Sequence, residues 1–339
     1  MENYPTIIDI ARRSGDPKIR PVIEVLEQTN SALTDIAFVE CNMGTTHLTT
    51  VRTGIPVPEW RTLNRGVGKG KSTTKQLKVG TGMLEQYAEI DKKQVVLAKR
   101  LGAQDAAPDF LASENAAFIQ GFGQESARVM FYGDPSHPEQ PIGLTYYYNS
   151  KAGESQENII DAGGTGAGNT SIWLIGWGVN TIHGLYPQGS VGGLQEQHLG
   201  EHTVTDENGK QFQALRTLYQ WDQGYVVRDW RYGVRICNID FNALVNNPTD
   251  VAAAKIIELL TRAVYKLPTY PQERKDIRES IRPAIYCRKE ILTALDLQVQ
   301  NKSNLILTYQ DIDGRPVLTF RGIPIRIHDQ LLATEARVV

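Results

Sequence analysis

The sequence predicts an α+β fold, and three of its features say so. A stretch of strict alternation follows Tyr225, with Trp230, Tyr232, Val234 and Ile236 on one face and Asp229, Arg231 and Arg235 on the other, as in a half-buried strand. A helical stripe runs between Lys92 and Phe131, where Leu111, Phe118, Phe122 and Val129 stand seven, four and seven residues apart. Helix and strand signals also fall in separate runs, without the strand-helix-strand alternation of a parallel sheet and without a repeat period. At 339 residues the chain is long enough for two or three units, each with a core of its own.

Taken in order, residues 5 to 40 read as short helical pieces broken by Gly15, Asp16 and Pro21, with Arg12, Arg13, Lys18 and Arg20 at the front. From Cys41 to about Asp91 the chain turns to Thr, Gly, Lys and Val with few large apolar residues. Such a segment buries too little surface to stand alone, so an extended excursion is expected. Pro108 opens the striped helix, while Gly121 and Gly123 lie within it. Residues 135 to 210, rich in Gly, Ser, Thr and aromatics and including a short apolar run at Ile172 to Trp177, predict strands and long loops. One long antiparallel strand then covers 225 to 241. Thr249 or Asp250 caps a helix, VAAAKIIELLTRAVYKL, that Pro268 ends. A strand at AIYC (284–287), a helix to about Gln300, two strands joined at Asp313-Gly314, and FRGIPIRI complete the chain.

Composition excludes several classes. Lys plus Arg (36) nearly balances Asp plus Glu (38), so the chain lacks the positive field of a protein that grips nucleic acid by charge. Cys41, Cys237 and Cys287 are few, odd in number and without metal spacing, which predicts reduced thiols. The N-terminal MENYPTIIDIARRSGD has no apolar signal region and no run approaches a membrane span, so a soluble chain is expected.

The chemical motifs fail on spacing or context. GVGKGKSTTKQ (66–76) ends like a phosphate-binding loop, but Gly66 and Gly70 are one residue too close and no apolar helix face follows. Gly163-x4-Gly168-Asn169-Thr170 replaces the essential lysine by Asn. HLGEH (198–202) matches an inverted zinc-peptidase pattern, yet Gly200 and the β-branched run after it speak against a helix, and a surface loop is expected. A zinc-dependent hydrolase using His198, Glu201 and His202 is the alternative reading. No catalytic, cofactor-binding or metal residue is assigned. What the sequence emphasises is reach, with Val51, Ile55 and Trp60 set on a core-poor excursion that other copies of the chain would have to cover.

Four segments, PEWRTLNRGV (58–67), WGVNTIHGLYPQGSVGGL (177–194), VRDWRYGVRICNID (227–240) and TFRGIPIRIHDQLLATEARV (319–338), add a resemblance. Together and in this order the chain resembles the major capsid proteins of tailed double-stranded DNA phages, which have the HK97-like fold, within the podovirus subgroup related to the epsilon15 capsid protein. The resemblance implies an N-terminal arm (1–40), an extended E-loop (41–90), a P-domain spine helix region (91–134), a mostly A-domain stretch (135–214), P-domain strands and helix (215–266), and a return to the A-domain (267–339). It implies no enzymatic activity, and self-assembly as hexamers and pentamers into an icosahedral head, a virion component assembled in the host cytoplasm. Implied partners are other copies of the chain, a portal, a scaffold, a decoration or cement protein, and packaged double-stranded DNA touched without sequence specificity, with no membrane. Trp60, Arg61, Arg65, Lys69, Lys71 and Lys75 would make the intersubunit contacts of the loop. No covalent crosslink between subunits is predicted.

Overall fold

The computed structural model describes residues 31–93, 106–152, 155–205, 209–247, 255–268, 281–300, 307–312 and 315–339. The helical pieces expected before Ser31 lie outside these residues. So do Thr249, Asp250 and the Asp313-Gly314 junction.

The body is organised around strand β6 (Asn169–Trp177), which includes the apolar run noted in the sequence and is buried at every position. It pairs antiparallel with β10 (Gly233–Asp240) on one side and with β11 (Arg282–Cys287) on the other. The sheet continues from β10 to β5 (Ile159–Asp161), parallel, and from β11 to β14 (Ile323–Ile327), parallel. It then passes antiparallel to β13 (Arg315–Phe320) and β12 (Leu307–Ile312). FRGIPIRI is thus not one strand, because Arg321 and Gly322, both at positive φ, turn the chain between β13 and β14.

Because alternate residues of a strand point to opposite faces, a strand buried on every residue needs a layer on each side. Ile172 and Leu174 of β6 pack with helices α4 (Phe241–Asn246), α5 (Ile256–Lys266) and α6 (Lys289–Gln300) through Leu244, Leu260, Val264, Ile291 and Leu295. Trp173, Ile175 and Trp177 pack on the other side with Phe131, Tyr148, Tyr286 and the C-terminal residues Leu331 and Val338.

At the Trp177 end, β6 meets β7 (Ile182–Tyr186), which pairs with β1 (Phe38–Glu40) and with the seventeen-residue β9 (Gln211–Val227). Beyond β7, β9 carries β4 (Gly82–Asp91) on one edge and β8 (Gln195–Thr205) on the other. Helix α2 (Ala106–Tyr132) lies on this arm with Phe118, Phe122 and Val129 of the expected stripe turned inward. Phe118 stacks on Tyr219 at 5.5 Å, Phe122 lies 6.1 Å from the same ring, and Ser126 donates to Gln223 at 2.6 Å. Tertiary packing outweighs the weak helix propensity of Gly121 and Gly123. The remaining described helices are α1 (Ser31–Asp35) and α3 (Leu144–Tyr147).

Two expectations about 225 to 241 are corrected. The stretch is not one long strand: β9 ends at Val227, residues Trp230–Tyr232 make a 3₁₀ turn capped by Asp229, and β10 starts at Gly233. The second strand is not half-buried either, for seven of its eight residues are buried. Arg235, expected to face solvent, is 5% exposed and paired with Glu335 at 2.8 Å. Its Nε donates to Ser171 Oγ at 3.1 Å and its Nη1 to the Tyr148 carbonyl at 2.8 Å. Ser171 and Tyr132 donate in turn to the two oxygens of Glu335. Both charges of the pair are thereby hydrogen-bonded on several sides, the condition for burying such a pair at all.

This pair also fastens the C-terminal segment to the sheet. Asn238, at φ 58 in the bulge of β10, donates to the Val338 carbonyl at 2.9 Å and accepts from the Val338 amide at 2.8 Å. At the other end of the segment His328 is buried against Phe131 at 4.8 Å between ring centroids. Burial pushes its imidazole down to about 4, outweighing the backbone near Ala127 and the charge of Asp329.

Two outcomes are expected. Arg235→Met leaves Glu335 charged and unpaired inside the protein, and urea unfolding should show a loss of about 3–5 kcal/mol. For His328, the unfolded chain binds a proton near the ordinary 6.5 while the folded chain binds it only near 4. Stability is therefore complete above 6.5 and falls by up to about 1.4 kcal/mol per pH unit as the pH drops through that window. Urea midpoints measured from pH 7 to pH 4 should fall less steeply for His328→Phe.

Candidate functional site

The chemical motifs do not assemble into a reaction centre. HLGEH lies in strand β8, not in the surface loop expected, and Gly200, at φ 85, supplies a bulge in the ladder to β9. His198 stands opposite Thr217 and His202 opposite Ala214. Those partners are three apart along β9, so the two imidazoles leave opposite faces of the sheet and cannot share an ion. His198 Nδ1 lies 3.0 Å from Thr217 Oγ1, and Glu201 pairs with Lys92 at 2.7 Å. Among the described residues there is no group of three or more His, Cys, Asp or Glu side chains able to hold a metal. GVGKGKSTTKQ ends in a strand, Thr73–Gly80, so no helix N-terminus points its amides at a phosphate there. The described residues contain no helix long and apolar enough to cross a membrane.

What stands out instead is the excursion. Residues 41–91 divide at Gly80–Thr81. The second part is β4, a full strand of the arm. The first is a separate antiparallel hairpin of β2 (Thr46–Gly54) and β3 (Thr73–Gly80), paired from Thr46–Gly80 out to Gly54–Thr73. Its base is covered by a small cluster of Cys41, Val79, Leu185 and Val226. Its tip, residues 55–72, is not covered. Ile55 is 80% exposed, Val57 86%, Leu63 93% and Trp60 wholly exposed.

The tip nevertheless has local order. Arg61 Nε donates to the Arg65 carbonyl at 2.8 Å and the Gly68 amide donates to Glu59 at 3.2 Å, while Asn64 turns the chain at φ 64. Arg61, Arg65, Lys69 and Lys71 are exposed there, and Lys75 lies on β3 opposite Val51. From Arg52 to Lys75 the sequence holds six Lys or Arg and one acid, Glu59. Five of the six residues proposed for intersubunit contact, Trp60 included, therefore sit together on the tip, and Lys75 sits on the adjoining strand.

An opposite surface was missed in the sequence. On β4, Met83, Glu85, Tyr87 and Glu89 alternate onto the face of the arm turned away from α2. They stand across from Asp222, Gln220, Leu218 and Arg216 of β9. Met83 is 70% and Tyr87 53% exposed. Arg216 pairs with Glu89 and lies over the Tyr87 ring at 5.4 Å, whereas Glu85 is met by the neutral Gln220 at 2.6 Å. Burial, and then the charge of Glu85, raise the Asp222 carboxyl above its ordinary value. The period-two alternation of 83 to 89 is the signal that could have shown this face. It is masked by the low apolar content of the whole excursion.

Comparison with known proteins fits this molecule of reach and repetition. The family model for the major capsid protein GP7 matches residues 14–339. A chain in a near-atomic cryo-EM structure of bacteriophage epsilon15 is 35% identical, with a TM-score of 0.66, and the match covers 99% of this chain and 98% of that one. Two further solved structures are similar at lower levels. The capsid of bacteriophage JBD30 is 8% identical with a TM-score of 0.48, covering 89% of this chain and 91% of that one. The capsid of a native GTA particle is 9% identical with a TM-score of 0.41, covering 60% and 88%. No curated protein sequence matches the chain. With its exposed basic hairpin, its long helix on a sheet arm and a match over nearly its whole length, the chain belongs to the GP7 family of phage major capsid proteins, structural components of the virion with the HK97-like α+β fold.

Proposed function

We propose that the chain closes into hexamers and pentamers of an icosahedral head around double-stranded DNA, and that the hairpin tip is the contact made in every ring. The observation that carries this is the tip itself, on which Trp60, Leu63, Val57 and Ile55 meet no cover from the described residues of their own chain. In this reading residues 41–90 are the E-loop, 91–134 with α2 are the spine helix region of the P-domain, 135–214 are mostly A-domain, 215–266 are P-domain strands and helix, and 267–339 return to the A-domain. The segment 1–40 is the arm.

The receiving surface on a neighbouring copy is the outer face of the arm, where Glu85 and Asp222 complement Arg61, Arg65, Lys69 and Lys71, and Met83 and Tyr87 complement Trp60 and Leu63. Each exposed ion pair contributes only about 0.2–1 kcal/mol. A buried aromatic anchor contributes more, about 2 kcal/mol or above when truncated. Repetition around a closed ring multiplies both. A portal, a scaffold and a decoration or cement protein complete the head, assembly takes place in the host cytoplasm, and the near-neutral chain touches packaged DNA without sequence specificity.

Negative-stain images and sedimentation test the reading. Trp60→Ala and deletion of 64–76 should leave a folded subunit with unchanged circular dichroism that forms few or no shells. Lys69→Glu with Lys71→Glu should impair assembly, and Glu85→Lys with Asp222→Lys in the same chain should restore it in part. Normal heads from the deletion would overturn the role of the tip. Failure of the second charge pair to restore assembly would move the receiving surface elsewhere.

A further inference from the structure

The hairpin meets the body through a narrow joint. Gly44, at φ 63, precedes β2, and Gly80 and Gly82 flank Thr81 after β3. Across the joint the Thr81 amide and hydroxyl both bond the Thr45 carbonyl, at 3.0 and 3.1 Å. The β3–β4 corner crosses β9 at Gly224, where a Cβ would meet the Gly80 carbonyl oxygen at 3.0 Å and the Thr81 side chain at 3.2 Å. Beneath this crossing the apolar cluster of Cys41, Val79, Leu185 and Val226 is small.

Beside that cluster sit two histidines. His47 of β2 and His183 of β7 are both buried, with ring centroids 5.9 Å apart and ring planes at 89°. His47 faces the body from the hairpin, and His183 faces the hairpin from the body. His47 Nδ1 is buried without a hydrogen-bond partner, and neither nitrogen of His183 makes a well-formed hydrogen bond. Arg228, just beyond the end of β9 and held on the Val179 carbonyl at 3.0 Å, is the charged group that acts on both rings, while Glu40, Cys41 and Tyr186 on or beside the neighbouring strands act on one another. Glu40 is engaged by the Gly189 amide at 2.7 Å.

We infer that this joint is an acid-sensitive hinge: protonation of His47 and His183 undocks the base of the β2–β3 hairpin from β7 and β9 while the body stays folded. A proton on either ring would place a second positive charge beside Arg228 in a site from which water is excluded, and a proton on both would place a third. Burial, then Arg228, then His47 press His183 down to about 3, outweighing the backbone at Gly178, and burial followed by Arg228 lowers His47 as well. In the undocked hairpin both rings would meet water and regain their ordinary affinity for protons. The docked form is therefore fully favoured above about pH 6.5, and the ratio of docked to undocked falls by up to roughly tenfold per pH unit for each histidine below it. Neither the family nor the assembly reading is needed for this step.

Cys41 reports the opening, because it is buried in the cluster that the hairpin covers, whereas Cys237 and Cys287 are buried in the main sheet. The full-length, unassembled chain is pulsed with 4,4′-dithiodipyridine from about pH 7.5 to about pH 5. Labelling of each cysteine is read by peptide mass spectrometry and divided by its rate in the urea-unfolded chain at the same pH. Cys41 should lose tenfold or more of its protection between pH 6.5 and pH 5 while Cys237 and Cys287 keep theirs. In His47→Gln with His183→Gln the protection of Cys41 should no longer depend on pH. Where Cys237 labelling at pH 7.5 shows that the double variant is unfolded, His47→Gln alone should halve the slope on a logarithmic scale. The hinge is overturned if Cys41 stays protected in acid, if all three cysteines open together, or if the folded variants keep the wild-type slope.

Discussion

A hairpin tip left uncovered by the described residues of its own chain is the constraint to which the other parts answer. Ile55, Val57, Trp60 and Leu63 project into water from the tip, residues 55–72, that joins two strands paired with each other. An isolated two-stranded hairpin is marginal in water, and an exposed apolar patch is ordinarily an interaction site or a liability. A protein in which this patch is matched to a surface of the same molecule resolves both problems, provided the contact closes into a ring before it can grow into a fibre. In the proposed contact the basic residues around Trp60 would contribute orientation and choice of partner more than affinity, since each exposed pair is weak.

Such a contact can transmit force only if the body that bears it does not yield. That is where the buried Arg235–Glu335 pair matters. The sheet around β6 must be covered on both faces, and on one of them part of the cover is the C-terminal segment, of which only Leu331 and Val338 among the described residues join the apolar cluster. Its hold depends on a charged hydrogen-bonded network at Glu335 and a two-way backbone clamp by Asn238. A network of this kind is no more stabilising than apolar packing of the same volume, but it permits one register of the segment on the sheet. The bulge that places Asn238 at positive φ belongs to the same fastening.

How much of this could be read from the sequence depends on whether the signal was local. The run from Ile172 to Trp177 was legible as a short apolar run in a region of strands and loops, but its burial on both faces was not, because that depends on layers supplied by distant helices and the C-terminal segment. The stripe from Phe118 to Val129 placed α2 and its inward face. The alternation after Tyr225 misled because Trp230 and Tyr232 fit the period of a strand, while the short carboxylate of Asp229 accepts from the Arg231 amide two residues on and draws the chain into a turn. Arg235 was read as exposed because its partner is 100 residues away in sequence. His47 and His183 were invisible for the same reason, being single residues brought together only by the topology. The outer face of β4 was missed because a strand poor in apolar residues looks like loop until its partner, β9, is known.

The body and the hairpin are consequently held by different physics. Around β6 the cover is continuous on two faces and the Arg235–Glu335 charges inside it are paired, so deformation there breaks many contacts at once. At the joint the cover is four apolar residues, a threonine hydroxyl and two neutral histidines beside a cation. In a shell built from identical chains, subunits in rings of different size face their neighbours at different angles. The angle has to be absorbed somewhere, and it is absorbed where the least buried surface is lost. In the proposed assembly the glycine-flanked turn over Gly224 would be that place, since a joint set there could adjust the tip to its receiving face without disturbing the strands that carry it.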